Sequence, residues 1–372
     1  MSIATEITRL QGAKSDIRNS IIAKGVDVPS AETLDNYSGY IDQISGGGGT
    51  TDPMLDEYAF LEVVHKASNS INLGVNWAKG YYSNPLAQSN RNFTLYYSYD
   101  KQTWNSTTIS ANGYRVINLP SEGEKIYFKA SHDSSPTCWG ANGVPAHFYI
   151  QRSGGSTGGL TVKAGGNVLS LSWGDDFKGK TTWRNVCFID TNNYSPSNCL
   201  TELFSYNSQG EMLVGIDDLR IPLQLGSSIT SSMFNGNTGL TGVLDFRKIL
   251  FGDTCSWSST TANYGMLKGL RGSPTIILPE IGTVGSGRLT SQWTASYPAN
   301  KSYAFLNYIF GSDTYVKNVW VKYIDPSYTG SLNLGLSASS GTIHTTSDSK
   351  ITIPTGWTRV NDYDTNIPPL VY

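Results

Sequence analysis

Four consecutive glycines, Gly46 to Gly49, constrain this chain more than any other stretch, because they separate segments built on different periodicities. A run without side chains has nothing to pack, so the parts on either side can take independent orientations. On the N-terminal side, Ile3, Ile7, Leu10, Ile17 and Ile21 recur at alternating four- and three-residue spacings, interrupted only by Lys14. That spacing predicts a helix with one narrow apolar seam, polar on its other faces and ending near Gly25. Pro29 and Ser30 then open a second, shorter helix whose Leu34, Tyr37, Ile41 and Ile44 share a face. Two short helices bury too little apolar surface to offset their ordering entropy unless they fold back or meet another chain. The expectation is an anchoring or oligomerising segment over residues 1–45, carried by Ile3, Ile7, Leu10, Ile17, Ile21, Leu34, Tyr37 and Ile41. A Gly-rich linker at 46–53 ties it to a payload. A helical hairpin packed onto that payload is the competing reading.

The payload is turn-rich and weakly charged. Charged residues are 15% of the 372, while 39 Gly, 22 Tyr, 12 Phe and 9 Trp favour β structure with many turns. A net charge of −2, without clustered Lys and Arg, argues against a nucleic-acid partner. No apolar run is long enough for a membrane span, and the first residues lack the basic start and apolar core of a secretory signal. Cys138, Cys187, Cys199 and Cys255 have no metal-ligand spacing and are expected as buried free thiols.

Between Tyr58 and Ile150, short alternating runs separated by Ser, Asn, Pro and Gly predict an antiparallel sandwich-like domain over 54–153. LYYSYDKQTW, from Leu95, reads as a strand, an Asp-Lys turn and a returning strand. Beyond Asp176 a looser regularity sets in. Apolar pairs at Leu203-Phe204, Met233-Phe234, Met266-Leu267 and Ile309-Phe310 lie about 30 to 43 residues apart. Each is followed by small polar residues and an apolar run: LRIPL, LTGVLDF, TIILPEI and VKNVWV in turn. One strand and one corner per repeat, stacked as a solenoid, fits that spacing over 154–372.

Several of these pieces carry a resemblance. LYYSYDKQTW, LSLSWGDDFKGKTT from Leu169, SSMFNGNTGLTGVLDF from Ser231 and the terminal IPTGWTRV from Ile353 are together similar to BspA-type leucine-rich-repeat surface proteins of gut anaerobes and their phages. The chain departs from that pattern with Asn237-Thr238 where a Cys-Thr pair is common, and with a long insertion from Phe251 to Tyr264. The opening stretch from Arg9 to Ile44 resembles an N-terminal module of gut-phage tail and other virion proteins. Together the resemblances imply a mainly β fold: an N-terminal α-helical segment, a β-sandwich-like domain, then an irregular leucine-rich-repeat-like β-rich domain.

Catalytic chemistry finds little footing in the residues. His65, His132, His147 and His344 have no fixed spacing, and His132, Cys138 and His147 lie in loop-like sequence. Asp175 and Asp176 would point to opposite faces of an extended strand, so a turn-capping role is expected over a glycosidase pair. Trp77, Tyr81, Tyr82, Trp139, Trp257 and Trp293 sit among Asn, Ser, Gly and Thr and form the candidate ligand surface, by stacking and amide or hydroxyl hydrogen bonds. Trp104 has a similar setting. No catalytic, metal or cofactor residue is nominated.

The functional expectation is a non-enzymatic, fibre-type structural protein of a phage particle, on tail or head. Its helices attach to other virion proteins and make a homo-oligomer, a dimer or a trimer, while its body meets a host-surface protein or glycan. A polysaccharide-degrading tail enzyme and a bacterial BspA-like adhesin are the alternatives.

Overall fold

The computed structural model describes residues 3–22, 28–37, 40, 52–77, 93–109, 113–130, 146–153, 159–180, 203–204, 212–222, 233–251, 265–279, 308–324 and 331–370. The chain divides into two compact units, residues 1–53 and residues 54–371. The described residues of the first include the helix α1 (Ile3–Ile22) and a 3-10 turn, Leu34–Asn36. Gly25, Ile41, Ile44 and the four glycines lie outside the described residues.

The second unit is mainly β, as its composition predicts. Its first strands are β1 (Ala59–Lys66), β2 (Ser70–Trp77), β3 (Phe93–Ser98), β4 (Asn105–Ile109), β5 (Gly113–Asn118), β6 (Lys125–Ala130), β7 (Ala146–Arg152) and β8 (Leu160–Asn167). They alternate between core and solvent with the period of two that strands impose. In β6, for example, Ile126, Phe128 and Ala130 are buried while Lys125, Tyr127 and Lys129 lie on the other face. Antiparallel pairing gives the order β8–β1–β6–β3–β4 in one layer and β5–β2–β7 in the other. Leu61, Val63, Leu73, Ile126 and Ile150 fill the space between.

The Asp-Lys turn joins β3 to β4 as the sequence predicts. The Asp100 carboxylate accepts from the Thr103 and Gln102 backbone N–H groups at 2.7 and 2.8 Å and from the Ser98 hydroxyl at 2.9 Å. These bonds favour the charged form and hold its carboxyl at about 2. A depressed carboxyl contributes stability above its unfolded value, near 3.9, and loses it as pH falls toward the folded one. A carboxyl 13C titration of Asp100 should therefore show its midpoint near 2, and an ordinary midpoint would mean the turn is not held this way.

From β8 onward the pairing becomes parallel. The strands are β9 (Leu213–Gly215), β10 (Leu219–Pro222), β11 (Val243–Asp245), β12 (Leu250–Phe251), β13 (Thr275–Ile277), β14 (Asn318–Trp320), β15 (Gly341–His344) and β16 (Trp357–Val360). β8 pairs with β1 on one side and with β9 and β10 on the other, so it joins the antiparallel layer to the parallel coils. Beyond it β10 pairs with β12, and β11, β13, β14, β15 and β16 make a separate parallel sheet in chain order. Residues 54–371 form one compact unit, in which one cluster of buried apolar side chains takes in residues from Ala59 to Trp357.

The four apolar pairs form the inner ladder of these coils. Phe204 N donates to Met233 O, Phe234 N to Met266 O, Leu267 N to Ile309 O and Phe310 N to Leu334 O, all at 3.0 to 3.1 Å. The ladder meets the second layer of the sandwich, where Ile150 N donates to Leu203 O at 3.4 Å. All eight side chains are buried, each contributing about 1.5–3 kcal/mol of transfer free energy. Stacking is what buries them, since no coil covers its own apolar edge. LRIPL, as β10, pairs with Leu250-Phe251 in β12, while the LTGVLDF run, as β11, pairs with the TIILPEI run, as β13. Coils at β15 and β16, which have no apolar pair of the same form, extend the array.

Both ends of the parallel sheet are tied. The Arg359 guanidinium donates to the carbonyls of Thr346, Ser347 and Ser349, satisfying backbone acceptors beside the terminal coil. Trp357, from the IPTGW segment, is buried and donates its indole N–H to Ala338 O at 2.8 Å. The C-terminal residues then run back across the sheet: Asp362 meets His344, Tyr363 packs with Trp320 and Ile277, and Arg247 donates to Pro368 O at 2.7 Å.

Candidate functional site: an open helical seam and an aromatic sheet face

In α1 the apolar seam is only partly covered within the chain. Ile21 is 3% exposed and packs with Val28, Tyr37 and Tyr40, whereas Ile7, Leu10 and Ile17 are 50%, 49% and 43% exposed. The covered end is held by Arg18, whose Nε donates to Val28 O at 2.9 Å and Pro29 O at 3.3 Å. Glu32 gathers the following turn, accepting from the Asn36 amide, the Tyr40 hydroxyl and Thr33 N, and these bonds keep its carboxyl below the ordinary range. Of the eight residues expected to anchor, Ile7, Leu10 and Ile17 thus remain open to a partner, while Ile21 and Tyr37 are used inside the unit. Ile3 and Leu34 lie at the start of α1 and in the 3-10 turn, and Ile41 lies outside the described residues.

The expected aromatic ligand set lies almost wholly outside the described residues: Tyr81, Tyr82, Trp139, Trp257 and Trp293 are among these, and Trp77 ends β2 opposite Ala146. The described residues place a different aromatic surface on the outer face of β5–β2–β7. Register sets Tyr149, Gly74 and Tyr114 side by side, and Gln151, Asn72 and Val116 in the adjacent row. Tyr114 and Val116 are 55% and 54% exposed. The far end of the Tyr149 ring lies directly over Gly74, close enough that a Cβ there would overlap it, with Cε1 at 2.7 Å. Burial, and then the neighbouring Tyr114, push the Tyr149 hydroxyl above its ordinary value. Asn72 Oδ1 is buried without a hydrogen-bond partner among the described residues. The local signal was the alternation in GYRVIN and SINLGVN; the pairing that brings them together is nonlocal.

Two other clusters are structural in geometry. Asp175, in a 3-10 turn rather than a strand, accepts from Lys129 Nζ at 2.7 Å and from the Tyr58 hydroxyl at 2.6 Å. Burial works to raise its carboxyl, and the two hydrogen bonds outweigh that and leave it lowered. Lys129 also lies 4.1 Å over the Trp104 ring, so the carboxylate joins a cation–aromatic stack and does not pair with Asp176. His344 stacks on Trp320 at 4.0 Å with its Nδ1 2.9 Å from Asp362, beneath the returning C-terminus. His65 pairs with Glu122 at 2.9 Å on the surface, and His147 lies opposite Asn76 in β7. His132, Cys138 and the other three cysteines are outside the described residues. Among the described residues, no three metal-ligating side chains converge, and no helix is long and apolar enough to cross a membrane.

Comparison with protein-family models, with curated protein sequences and with solved structures found no match.

Proposed function

We propose that this chain is a fibre-type structural protein of a phage particle, a binding and assembly component rather than an enzyme. Its N-terminal helices dock onto other virion proteins and onto copies of the same chain, and its β-rich body faces outward to meet the host surface. The observation that carries this reading is the open stretch of the α1 seam, Ile7, Leu10 and Ile17, in a unit that is compact apart from the β body. A three-four seam, here broken only at Lys14, is the pattern by which helices meet other helices, and half-exposed Ile and Leu at those positions gain about 1 kcal/mol each on being covered. Resemblance of the Arg9–Ile44 stretch to a gut-phage virion module supplies the setting. Immunogold electron microscopy of purified particles, with antibody raised against residues 54–371, tests the proposal. Regular labelling at one location on the particle is the expected result, and particles free of the polypeptide would sink it.

A further inference from the structure

We propose that the outer face of β5–β2–β7 binds a neutral oligosaccharide, seated on Tyr114 and Tyr149. The inference rests on the reading of the body as the outward, host-meeting part of a fibre, and it assigns that part a ligand class and an address.

The rows of the face are built for such a ligand. Gly74 lacks the Cβ that would lift the Tyr149 ring, so the ring lies over the strand beside Tyr114, which is more than half exposed. Flat aromatic surfaces of this kind receive the apolar C–H faces of sugar rings, and the tyrosine hydroxyls remain as polar handles. The adjacent row supplies the amides of Asn72 and Gln151. Among the described residues Asn72 Oδ1 has no hydrogen-bond partner, an arrangement that is unfavourable in a buried site until a donor reaches it. Its amide torsion is soft, so a ligand hydroxyl can draw that oxygen outward.

Charge and area select among occupants. From the Ser70 row to the Gly74 row the face holds no carboxylate, Lys or Arg, and the next row adds Asn76 and His147, so an acidic saccharide or a phosphate meets no permanent counter-charge there. Among the described residues its apolar content is two tyrosines and one valine, far short of the roughly 800 Å² per partner of a stable protein interface.

The test uses the purified full chain on an array of neutral gluco-, galacto- and manno-oligosaccharides with acidic counterparts, followed by calorimetry on the best binder. Tyr114→Ala should weaken binding about tenfold or more. Gly74→Ala should weaken it similarly while leaving both tyrosines in the chain, since the new Cβ displaces the Tyr149 ring. Tyr315→Ala, an exposed tyrosine elsewhere, should leave affinity unchanged, and circular dichroism verifies that each variant is folded. Binding only to acidic members, no binding to any member, or binding indifferent to Tyr114→Ala and Gly74→Ala in folded protein would each overturn the proposal. Because the readout is binding by isolated protein, its failure is distinct from absence of the chain from phage particles.

Discussion

Gly166→Ala is expected to destabilise the β body by about 3–5 kcal/mol, a large part of the 5–15 kcal/mol by which domains are stable. Gly166 has φ +73°, where a side chain costs about 1 kcal/mol, and a Cβ there would overlap the carbonyl oxygen of Tyr58 and approach Ala59 N at 3.0 Å. Both obstacles are backbone, so no rotamer relieves them. The position also matters topologically: Gly166 N donates to Asp218 O at 2.9 Å where β8 turns from antiparallel partner of β1 to parallel partner of β10. Gly179→Ala provides the internal comparison, with φ +70° but open space around it, and should cost only the conformational part. Urea denaturation of both variants checks the difference, and equal midpoints would show that the β8 junction is not tightly closed.

Asn237→Leu should cost about 2–4 kcal/mol although leucine keeps the same branching and number of side-chain heavy atoms. The buried Asn237 amide donates to Phe204 O at 2.8 Å and to Phe234 O at 2.9 Å, bridging the corners of adjacent coils. Leucine leaves Phe204 O without that donor inside the core, and an orphaned buried acceptor costs more than the hydrogen bond contributed. Asp313 occupies the corresponding corner one coil beyond its neighbour, accepting from Gly269 N, Tyr315 N and Val316 N. A lowered denaturation midpoint with faster amide exchange at Phe204 and Phe234 is the expected result. An unchanged midpoint would mean that the corner carbonyls find other donors.

These two positions illustrate what the sequence discloses and what it hides. The pairs at 203–204, 233–234, 266–267 and 309–310 were visible because each coil needs the same buried edge at the same place, and a stacked ladder repeats that demand. Asn237 stood out only as a departure from a resembling pattern; its role depends on a carbonyl 33 residues away in the previous coil. Apolar strands look alike without their pairing, so nothing local tells that LRIPL pairs with Leu250-Phe251 and LTGVLDF with TIILPEI. The coils at β15 and β16 escaped notice because Asn333-Leu334 and Lys350-Ile351 interrupt the apolar pair with a polar residue. The helical seam was legible residue by residue, yet periodicity alone did not separate the turn that Tyr37 covers from the turns left open. Tyr114 and Tyr149 give no local sign of lying on one surface, because exposure belongs to a sheet face, and faces exist only after strands far apart in sequence have paired.

The open turns carry the functional account. Putting Asp at Ile7 and Ile17 places two charges in the seam, where burial against a partner would leave them unpaired, while residues 54–371 keep their own core. The most direct measurement is the abundance of this chain, by quantitative mass spectrometry, in purified particles of phage encoding either the native chain or the Ile7→Asp, Ile17→Asp double variant. The account predicts a fixed copy number in native particles, loss from variant particles, and a folded variant left free in the lysate. Variant chain retained at the native copy number, or native particles without the chain, would contradict it.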